Sequence, residues 1–450
     1  MIILRNALIL DPEGRALRKD IAVGAGTVLH VVDHQAEEAG DEVVDCRGRL
    51  VLPGLVNGHT HLGTYLDKGQ DDVHSLFPWL VATYPAGAPV EELTVAFGLG
   101  LLEAIRAGTT GVVAMDTFPQ PTLEVLVRSG LRVVAALGLT DYGFALKRRA
   151  AFRAARKHLD RIAALGCPRI TAGLAPHSLY LCSDELVEGC GRLCDDHQAT
   201  LTLHVSETKA EREYVRETSG TTPVLHLQRL GVLGKQTLVA HGTWATPEEL
   251  EVLASTRTAL ALCPTSNLKL FSGLLEADKP FAAGVNVFLG TDSAVSNNNL
   301  DLFEEMRVAD LFTRFRRGAA CYPRELGARL FRAVARGGLP LSGGDGRIVA
   351  GMPADLVLLE LSDPRLVPAE RLQSHLVYAC GAGAVREVMV DGQWLMRDRV
   401  VGTLDQQELS ERAGRLLARP RDRGPLAALA RKLLAQRLRT IHATTHPSPR

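Results

Sequence analysis

Eight apolar runs of strand character, separated by stretches of helical periodicity, fill the middle of this 450-residue chain. The runs are LVLPGLVNGHTH, TTGVVAMDT, LRVVAALG, RITAGLAPHS, TLTLHVSE, TLVAHG, TALALCPTSN and VNVFLGTDS. Alternating strands and helices are typical of a parallel sheet whose faces are covered by the helices. Eight such units predict an α/β fold, a (β/α)8 barrel over residues 53–346. An open, doubly wound sheet is the alternative, although no GxGxxG turn follows the first strand.

The stretches between these runs carry the signals that begin helices. In TPEELEVLAST, Thr246 is placed as an N-cap and Pro247 at the first helical position. PVEELTVAFGLGLLEAIRAG and SDELVEGCGRLCDDHQ show the spacing of amphipathic helices. These patterns support alternating strands and helices rather than an all-β fold.

Both ends of the chain are rich in short strands and turns. Residues 1–52 and 347–402 would each form a small sheet with long exposed edges. We therefore predict that the two segments pair into one composite β-sandwich, with the barrel inserted between them. Residues 403–450 are arginine- and alanine-rich and broken by ARPRDRGP, which predicts a helical surface extension with a polar tail.

Composition and charge exclude several classes of partner. Lysine plus arginine equal aspartate plus glutamate at 51 each, so no net charge favours nucleic acid or anionic lipid. No apolar run reaches the roughly 18 residues of a membrane helix. The first residues, MIILRNALIL, lack the basic lead and cleavage site of a signal peptide. We expect neither a nucleic-acid nor a membrane partner.

The eight cysteines are scattered along the chain. Cys190 and Cys194 are one helical turn apart, but no second close pair completes a metal site. They lie in a stretch that predicts an amphipathic helix, so we interpret them as buried thiols. A reduced, cytoplasmic compartment is the simplest interpretation.

Histidines and carboxylates recur where the predicted barrel strands end. The chemistry of a (β/α)8 barrel gathers at this C-terminal face. His59 and His61 close the first strand and, being two residues apart, face the same side. The other strand-end residues are His177, His204, Glu207, His241 and Asp292. Five of the 14 histidines at equivalent strand ends indicate a functional site.

The residue types at these ends suit a divalent metal. His59, His61 and His204 offer imidazoles and Asp292 a carboxylate, a ligand mix for Zn²⁺, Fe²⁺ or Mn²⁺. Such a metal with one open position makes water nucleophilic at neutral pH. Glu207, three residues after His204, can reach the site without coordinating, and His241 suits hydrogen bonding to the water.

Several blocks resemble the amidohydrolase superfamily, in its cytosine-deaminase-like and chlorohydrolase-like branch. They are LPGLVNGHTH, APHSLYLCSDEL, LHVSET, VAHGTW, CPTSNLKLFSG and GTDSAVSNNNLDLFEEMR. The last three, together with GMPADLVLLEL and HLVYACGAGAVREVMVDGQWL, are most similar to the 5-methylthioadenosine/S-adenosylhomocysteine deaminases. The similarity extends over residues 1–405. It implies a barrel beside a β-sandwich and one catalytic divalent metal, with zinc preferred over iron or manganese.

The resemblance assigns a role to each strand-end residue. Glu207 matches the glutamate that shuttles a proton and contacts substrate, His241 the histidine that orients the attacking water, and His177 a histidine that contacts substrate. Asp292 would also carry the water's proton to the leaving group. The residues that match the metal ligands are His59, His61, His204 and Asp292. No lysine follows the fourth strand, where a carbamylated bridging ligand would stand, so the resemblance implies one metal rather than two.

The chemistry implied is hydrolytic deamination of an amino-substituted aromatic heterocycle, with an adenosine-type nucleoside preferred. Another purine, a pterin, a pyrimidine or a triazine is the alternative substrate, and chloride the alternative leaving group. A hydrolase of cyclic amides is a further rival. A catalytically inactive binding or assembly protein would lack ligands, whereas here all four are present. Relatives of this kind often form dimers or tetramers, so we expect a homo-oligomer.

Substrate selection is expected between the first and fourth strands, where the resemblance is looser. Relatives that act on nucleosides often carry arginines after the third strand, whereas this chain has VVAALGLTDYGFALKRR there. Trp79 fits an aromatic lid over a planar base, and a buried loop anchor is the alternative role.

Overall fold

The computed structural model describes residues 1–11, 14–83, 87–338, 346–419 and 424–445. The strands are β1 (Ile2–Leu10), β2 (Ala16–Gly24), β3 (Thr27–Val32), β4 (Glu42–Asp45), β5 (Arg49–Pro53), β6 (Leu55–His61), β7 (Thr109–Asp116), β8 (Arg132–Leu139), β9 (Ile170–Pro176), β10 (Thr200–Val205), β11 (Thr237–His241), β12 (Ala259–Leu262), β13 (Asn286–Leu289), β14 (Asp292–Ser293), β15 (Leu356–Glu360), β16 (Val385–Val390), β17 (Gln393–Arg397) and β18 (Val400–Val401).

The helices alternate with the strands through the middle of the chain. They are α1 (Leu76–Thr83), α2 (Val90–Arg106), α3 (Gln120–Ser129), α4 (Ala145–Ala164), α5 (Asp184–His197), α6 (Lys209–Ser219), α7 (Pro223–Arg229), α8 (Pro247–Thr256), α9 (Pro264–Lys269), α10 (Asp278–Ala282), α11 (Ala294–Asn297), α12 (Leu302–Cys321), α13 (Leu326–Val334), α14 (Leu372–Tyr378), α15 (Gln406–Leu417) and α16 (Gly424–Thr445). Short 3-10 turns occur at Tyr65–Asp67, Pro364–Leu366, Ala369–Arg371 and Ala382–Ala384. In α8 the predicted N-cap is present, because Thr246 accepts the backbone N–H of Glu249 at 3.2 Å.

Strands β6 to β14 form one parallel sheet that returns on itself. The order runs from β6 through β13, each strand paired with the next. Strand β14 follows β13 after two residues and pairs with β6, placing Asp292 opposite Thr60. The interior is packed with apolar side chains from across the ring, including Val56, Val134 and Phe288. The predicted (β/α)8 barrel is confirmed, and the open-sheet alternative is wrong because the last strand reaches the first.

The chain ends form the second nine-stranded sheet, with the main strand order β18-β17-β16-β15-β5-β1-β2-β3 and β4 paired to β1. This sheet has its own apolar core, which includes Leu4, Ile21 and Met389. The β2–β3 hairpin folds back onto the segment before β15, because Ala354 N–H donates to the carbonyl of Gly26 at 2.8 Å. The composite sheet is therefore confirmed, while the domain limits at 52/53, 346/347 and 402/403 stay a prediction.

The first predicted barrel strand is in fact two strands. LVLP belongs to β5 in the terminal sheet, and LVNGHTH forms β6 in the barrel. Gly54 lies between them, where a Cβ atom would stand 2.1 Å from Thr110 Oγ1. Only a residue without a side chain allows the chain to cross this closely from one sheet to the other.

We expect Gly54→Ala to lower the free energy of unfolding by about 1–3 kcal/mol, because the added methyl group overpacks the junction. Gly402→Ala is the matched control, since a Cβ there would meet no atom within 4 Å. Urea denaturation followed by circular dichroism measures both variants. Equal effects of the two substitutions would show that the junction is not tightly packed.

The C-terminal segment packs on the barrel. Helix α15 contacts α2, and α16 contacts α6 and α1. Leu434, Leu438 and Ile441 of α16 are buried. Two predicted features lie outside the described residues. They are the middle of the ARPRDRGP helix break, residues 420–423, and the polar tail, residues 446–450. Within the described ranges, we find no helix with the length and apolar character that crossing a membrane requires.

Candidate active site

The C-terminal ends of β6 and β10 and the start of the two-residue strand β14 bring three histidines and one aspartate together. Nε2 of His61 is 3.4 Å from Nε2 of His204 and 3.4 Å from Oδ1 of Asp292. Nε2 of His59 is 3.6 Å from the same carboxylate oxygen. One ligand atom each from His59, His61 and Asp292 lies within 4.8 Å of the others, and the same holds for His59, His204 and His241.

The protonation of these imidazoles fits a bound cation. Nδ1 of His204 donates to the carbonyl oxygen of His177 at 2.8 Å, which leaves the Nε2 lone pair facing the cluster. Both ring nitrogens of His59 are buried and find no hydrogen-bond partner among the described residues. Burial lowers the pKa of His59 to about 4, so its ring is neutral at pH 7. Neutral imidazoles with free lone pairs are the form that binds a divalent metal.

Asp292 is held in place by two hydroxyl groups. Its Oδ2 accepts from Ser266 Oγ at 2.6 Å and from Ser296 Oγ at 3.0 Å, which leaves Oδ1 toward the histidines. Burial opposes ionisation, but the imidazoles of His59 and His61 keep its pKa well below the usual value. The backbone φ of Asp292 is +57°, a strained conformation often found where a functional side chain must be aimed.

Glu207 and His241 lie side by side next to this cluster. Oε2 of Glu207 is 3.8 Å from Nε2 of His241. Burial, and then the neighbouring Asp292 carboxylate, raises the pKa of Glu207 well above its usual value. Nδ1 of His241 is 2.8 Å from Asn267 Oδ1, a contact that fixes the ring with Nε2 toward Glu207. The pair therefore combines a carboxyl group whose surroundings favour the protonated form with an oriented imidazole.

A cavity of about 310 Å³ opens onto these side chains. His61, His204, Glu207, His241 and Asp292 form one part of its lining. Its other walls are mainly apolar and include Leu76, Leu80, Leu93, Met115 and Leu139. Trp79 and His177, which together with Glu207 are the predicted substrate contacts, also line the cavity. A small planar molecule could lie between the apolar walls with one edge at the histidine cluster.

A sequence profile described as the amidohydrolase family matches residues 50–395, more than half of the chain. The chain belongs to the amidohydrolase family. The match spans the barrel and most of the second segment of the terminal sheet. The predicted family resemblance is thereby confirmed.

Relatives of this amidohydrolase include two deaminases. A 5'-deoxyadenosine deaminase of Methanosarcina mazei is 35% identical over 419 residues, covering 92% of this chain and 96% of the relative. A 5-methylthioadenosine/S-adenosylhomocysteine deaminase of Thermococcus sibiricus is 33% identical, and the match covers 88% of this chain and 94% of the relative. The predicted class of enzyme, a hydrolase acting on carbon–nitrogen bonds, agrees with both.

Among solved structures, an adenosine deaminase from Xanthomonas campestris with bound zinc superposes on this amidohydrolase with a TM-score of 0.83. The two sequences are 28% identical, and the match covers 93% of this chain and 98% of the other. The coverage shows that the barrel and the terminal sheet occur together in that protein too.

Sequence reasoning on this amidohydrolase missed the side chains that hold the cluster. Asn57 Oδ1 accepts the backbone N–H of His59 and that of Thr291, each at 3.2 Å, and so ties the first strand to the last. Ser266 and Asn267 lie in the quoted block CPTSN, and position Asp292 and His241. Their position directly after a barrel strand could have marked them as site residues. Their hydrogen-bond partners could not be predicted, because these partners are distant in sequence.

Two carboxylates of the amidohydrolase site were also missed. Glu211 accepts the backbone N–H of Glu207 at 2.7 Å and that of Ser206 at 3.2 Å. Asp116, at the end of β7, accepts the N–H of Leu62 at 2.7 Å and that of Gly63 at 3.0 Å. Both fix the backbone beside residues of the cluster. Asp116 lies at the end of a barrel strand, like the predicted site residues, so the same pattern could have identified it. Glu211 lies in a helix and resembles any polar helix residue.

Proposed function

We propose that this amidohydrolase is a metal-dependent hydrolytic deaminase of an adenosine-type nucleoside. The observation that carries the proposal is the convergence of four candidate ligands with Glu207 and His241 at one edge of a cavity. The deaminases named among its relatives, at 33–35% identity over most of the chain, point to the same chemistry.

His59, His61, His204 and Asp292 are the proposed ligands, and zinc the proposed metal. Imidazole and carboxylate donors suit zinc, and the buried, unpartnered nitrogens of His59 support a metal in this position. When bound there, the metal supplies a nucleophile by lowering the pKa of water. Stripping the protein with a chelator is expected to abolish turnover, and added Zn²⁺ to restore it. Full activity after complete removal of the metal would contradict this assignment.

Glu207 is the proposed proton donor to the substrate. Burial and the nearby Asp292 carboxylate raise its pKa and so favour the protonated carboxyl group, which can protonate the ring nitrogen beside the carbon that water attacks. The new C–O bond then forms without negative charge accumulating on the ring. His241, held by Asn267 with Nε2 toward Glu207, orients the attacking water.

Asp292 completes the proton transfers. Its ionised carboxylate takes the proton from the attacking water and passes it to the exocyclic amine, so that the C–N bond breaks and ammonia leaves. Glu207 takes back a proton from the hydroxyl group of the adduct as the carbonyl forms. Water thus contributes its oxygen and one hydrogen to the heterocycle and its other hydrogen to the ammonia. Two carboxyl groups with opposite pKa shifts fill the acid and base roles that this reaction needs.

The cavity supports a nucleoside of limited polarity. The apolar walls suit the faces of a purine, and Trp79 and His177 are the proposed contacts to it. Among the lining residues that the structure describes there is no lysine or arginine, while Asp116 brings a carboxylate. 5'-Deoxyadenosine and 5-methylthioadenosine, the uncharged substrates named for relatives, fit this lining.

Ammonia release from a panel of heterocycles tests the proposed function. We expect turnover of adenosine-type nucleosides to exceed that of free purines, pterins, pyrimidines and triazines. Chloride release from a chlorotriazine without ammonia from any nucleoside would favour the chlorohydrolase alternative. No reaction from zinc-loaded protein across the panel would favour an inactive binding protein.

We further propose a reducing, cytoplasmic setting and a homo-oligomer. All eight cysteines are free, which supports a reducing compartment. The balanced charge supports a small molecule, rather than nucleic acid or membrane, as the partner. Light scattering of the purified protein is expected to give a dimer or tetramer.

A further inference from the structure

Helix α16 lies against the wall of the candidate active site. It packs on α6 and on α1, and Leu434, Leu438 and Ile441 make its inner face. Helix α1 supplies Leu76, Trp79 and other side chains to the cavity lining. The C-terminal segment therefore supports the element that encloses the substrate cavity.

Arg437 makes a polar link between α16 and this wall. Its Nε donates to the backbone carbonyl oxygen of Tyr180 at 3.0 Å, and its Nη2 donates to the hydroxyl of Tyr214. The guanidinium carbon lies 5.3 Å from the centre of the Tyr214 ring. A planar guanidinium can satisfy both acceptors at once, which a single ammonium group on a flexible stem does less well.

Tyr180 connects Arg437 to the cavity. The residue is fully buried and lines the cavity. Its ring centre is 5.4 Å from that of Phe77 on α1 and 6.2 Å from that of His177. One residue thus joins α16, the α1 wall and a proposed substrate contact.

The supported wall carries two buried polar groups. The indole Nε1 of Trp79 and the hydroxyl of Tyr180 are buried without a hydrogen-bond partner among the described residues. A buried polar group without a partner is unfavourable, so a polar atom that pairs with it would be favoured there. Either group can form a hydrogen bond to a bound molecule only if its side chain is held in one position.

We infer that Arg437 is a positioning residue that holds Tyr180 and the α1 wall in the substrate-binding arrangement. The kinetic effect expected from this inference rests on the proposed function. Without the guanidinium, the wall would occupy the binding arrangement only part of the time. The apparent affinity then falls by that fraction, while the chemistry of bound substrate is unchanged.

Steady-state kinetics of Arg437→Ala, on the nucleoside that the wild type deaminates best, test the inference. We expect KM to rise about fivefold, with kcat within about twofold and zinc content unchanged. Arg437→Lys should recover part of the loss, because an ammonium group can still reach one acceptor. Arg439→Ala is the matched control, since Arg439 is exposed, lies on the same helix and carries the same charge. Equal KM values for Arg437→Ala and wild type would overturn the inference.

Hydrogen–deuterium exchange provides a readout that needs no activity. In Arg437→Ala we expect faster exchange in peptides covering residues 76–83 and 178–182, and in Arg439→Ala the wild-type rate. Faster exchange confined to α16 would mean that Arg437 only anchors its own helix, which would overturn the inference. If the wild type were inactive on every nucleoside, the proposed function would be rejected. The exchange experiment would still test the role of Arg437.

Discussion

His59→Ala and Asp292→Ala are each expected to lose bound zinc and to lower kcat/KM on the order of a thousandfold. Each substitution removes one of the four proposed donors, and a catalytic metal contributes several kcal/mol to the stabilisation of the transition state. Asp292→Ala also removes the proposed base, so we expect added zinc to restore less activity to it than to His59→Ala. Metal analysis after dialysis and ammonia release measure the two effects.

His158→Ala is the matched control for the histidine variants. Its imidazole is also buried, but it lies outside the cluster and bonds the carbonyl oxygen of Ala135 at 2.8 Å. We expect this variant to unfold more easily while keeping its zinc and its kcat. If His59→Ala retained stoichiometric zinc, the proposed ligand set would be wrong.

Glu207→Gln is expected to keep its zinc and to lower kcat by roughly two to four powers of ten. The amide preserves the size and burial of the side chain but cannot deliver a proton to the ring nitrogen. Glu207 is not one of the four proposed ligands, so zinc content should be unchanged. Pre-steady-state kinetics with the preferred nucleoside measure the chemical step directly.

Glu211→Gln separates proton transfer from positioning. Glu211 holds the backbone N–H groups of Ser206 and Glu207, and an amide can accept only with its one oxygen. We expect a loss of about tenfold, in the range typical of residues that support a site. A near-normal kcat for Glu207→Gln would remove that residue from the mechanism whatever Glu211→Gln does.

The positions of the strand-end residues could be predicted because they depend on local pattern and one topological rule. His59 and His61 follow an apolar run, and His204 and Asp292 end two others. In a parallel barrel these ends meet on one face, so residues far apart in sequence become neighbours. The approximate locations of the strands sufficed, since their exact limits do not change which face each end occupies.

Other parts depend on contacts that no local pattern shows. Gly54 separates two sheets because Thr110 lies against it, and Asn57 bonds Thr291 across 234 residues. The C-terminal arginines resemble those of any solvated helix, although Arg437 reaches the carbonyl of Tyr180, 257 residues away. Such roles are set by packing between elements and become visible only when the elements are placed together.

Anomalous X-ray diffraction at the zinc absorption edge, from crystals of the zinc-loaded protein, tests the central claim most directly. We expect a single peak in each chain, within bonding distance of Nε2 of His59, His61 and His204 and of Oδ1 of Asp292. A peak at another position, or none at this cluster in protein that retains zinc, would contradict the account.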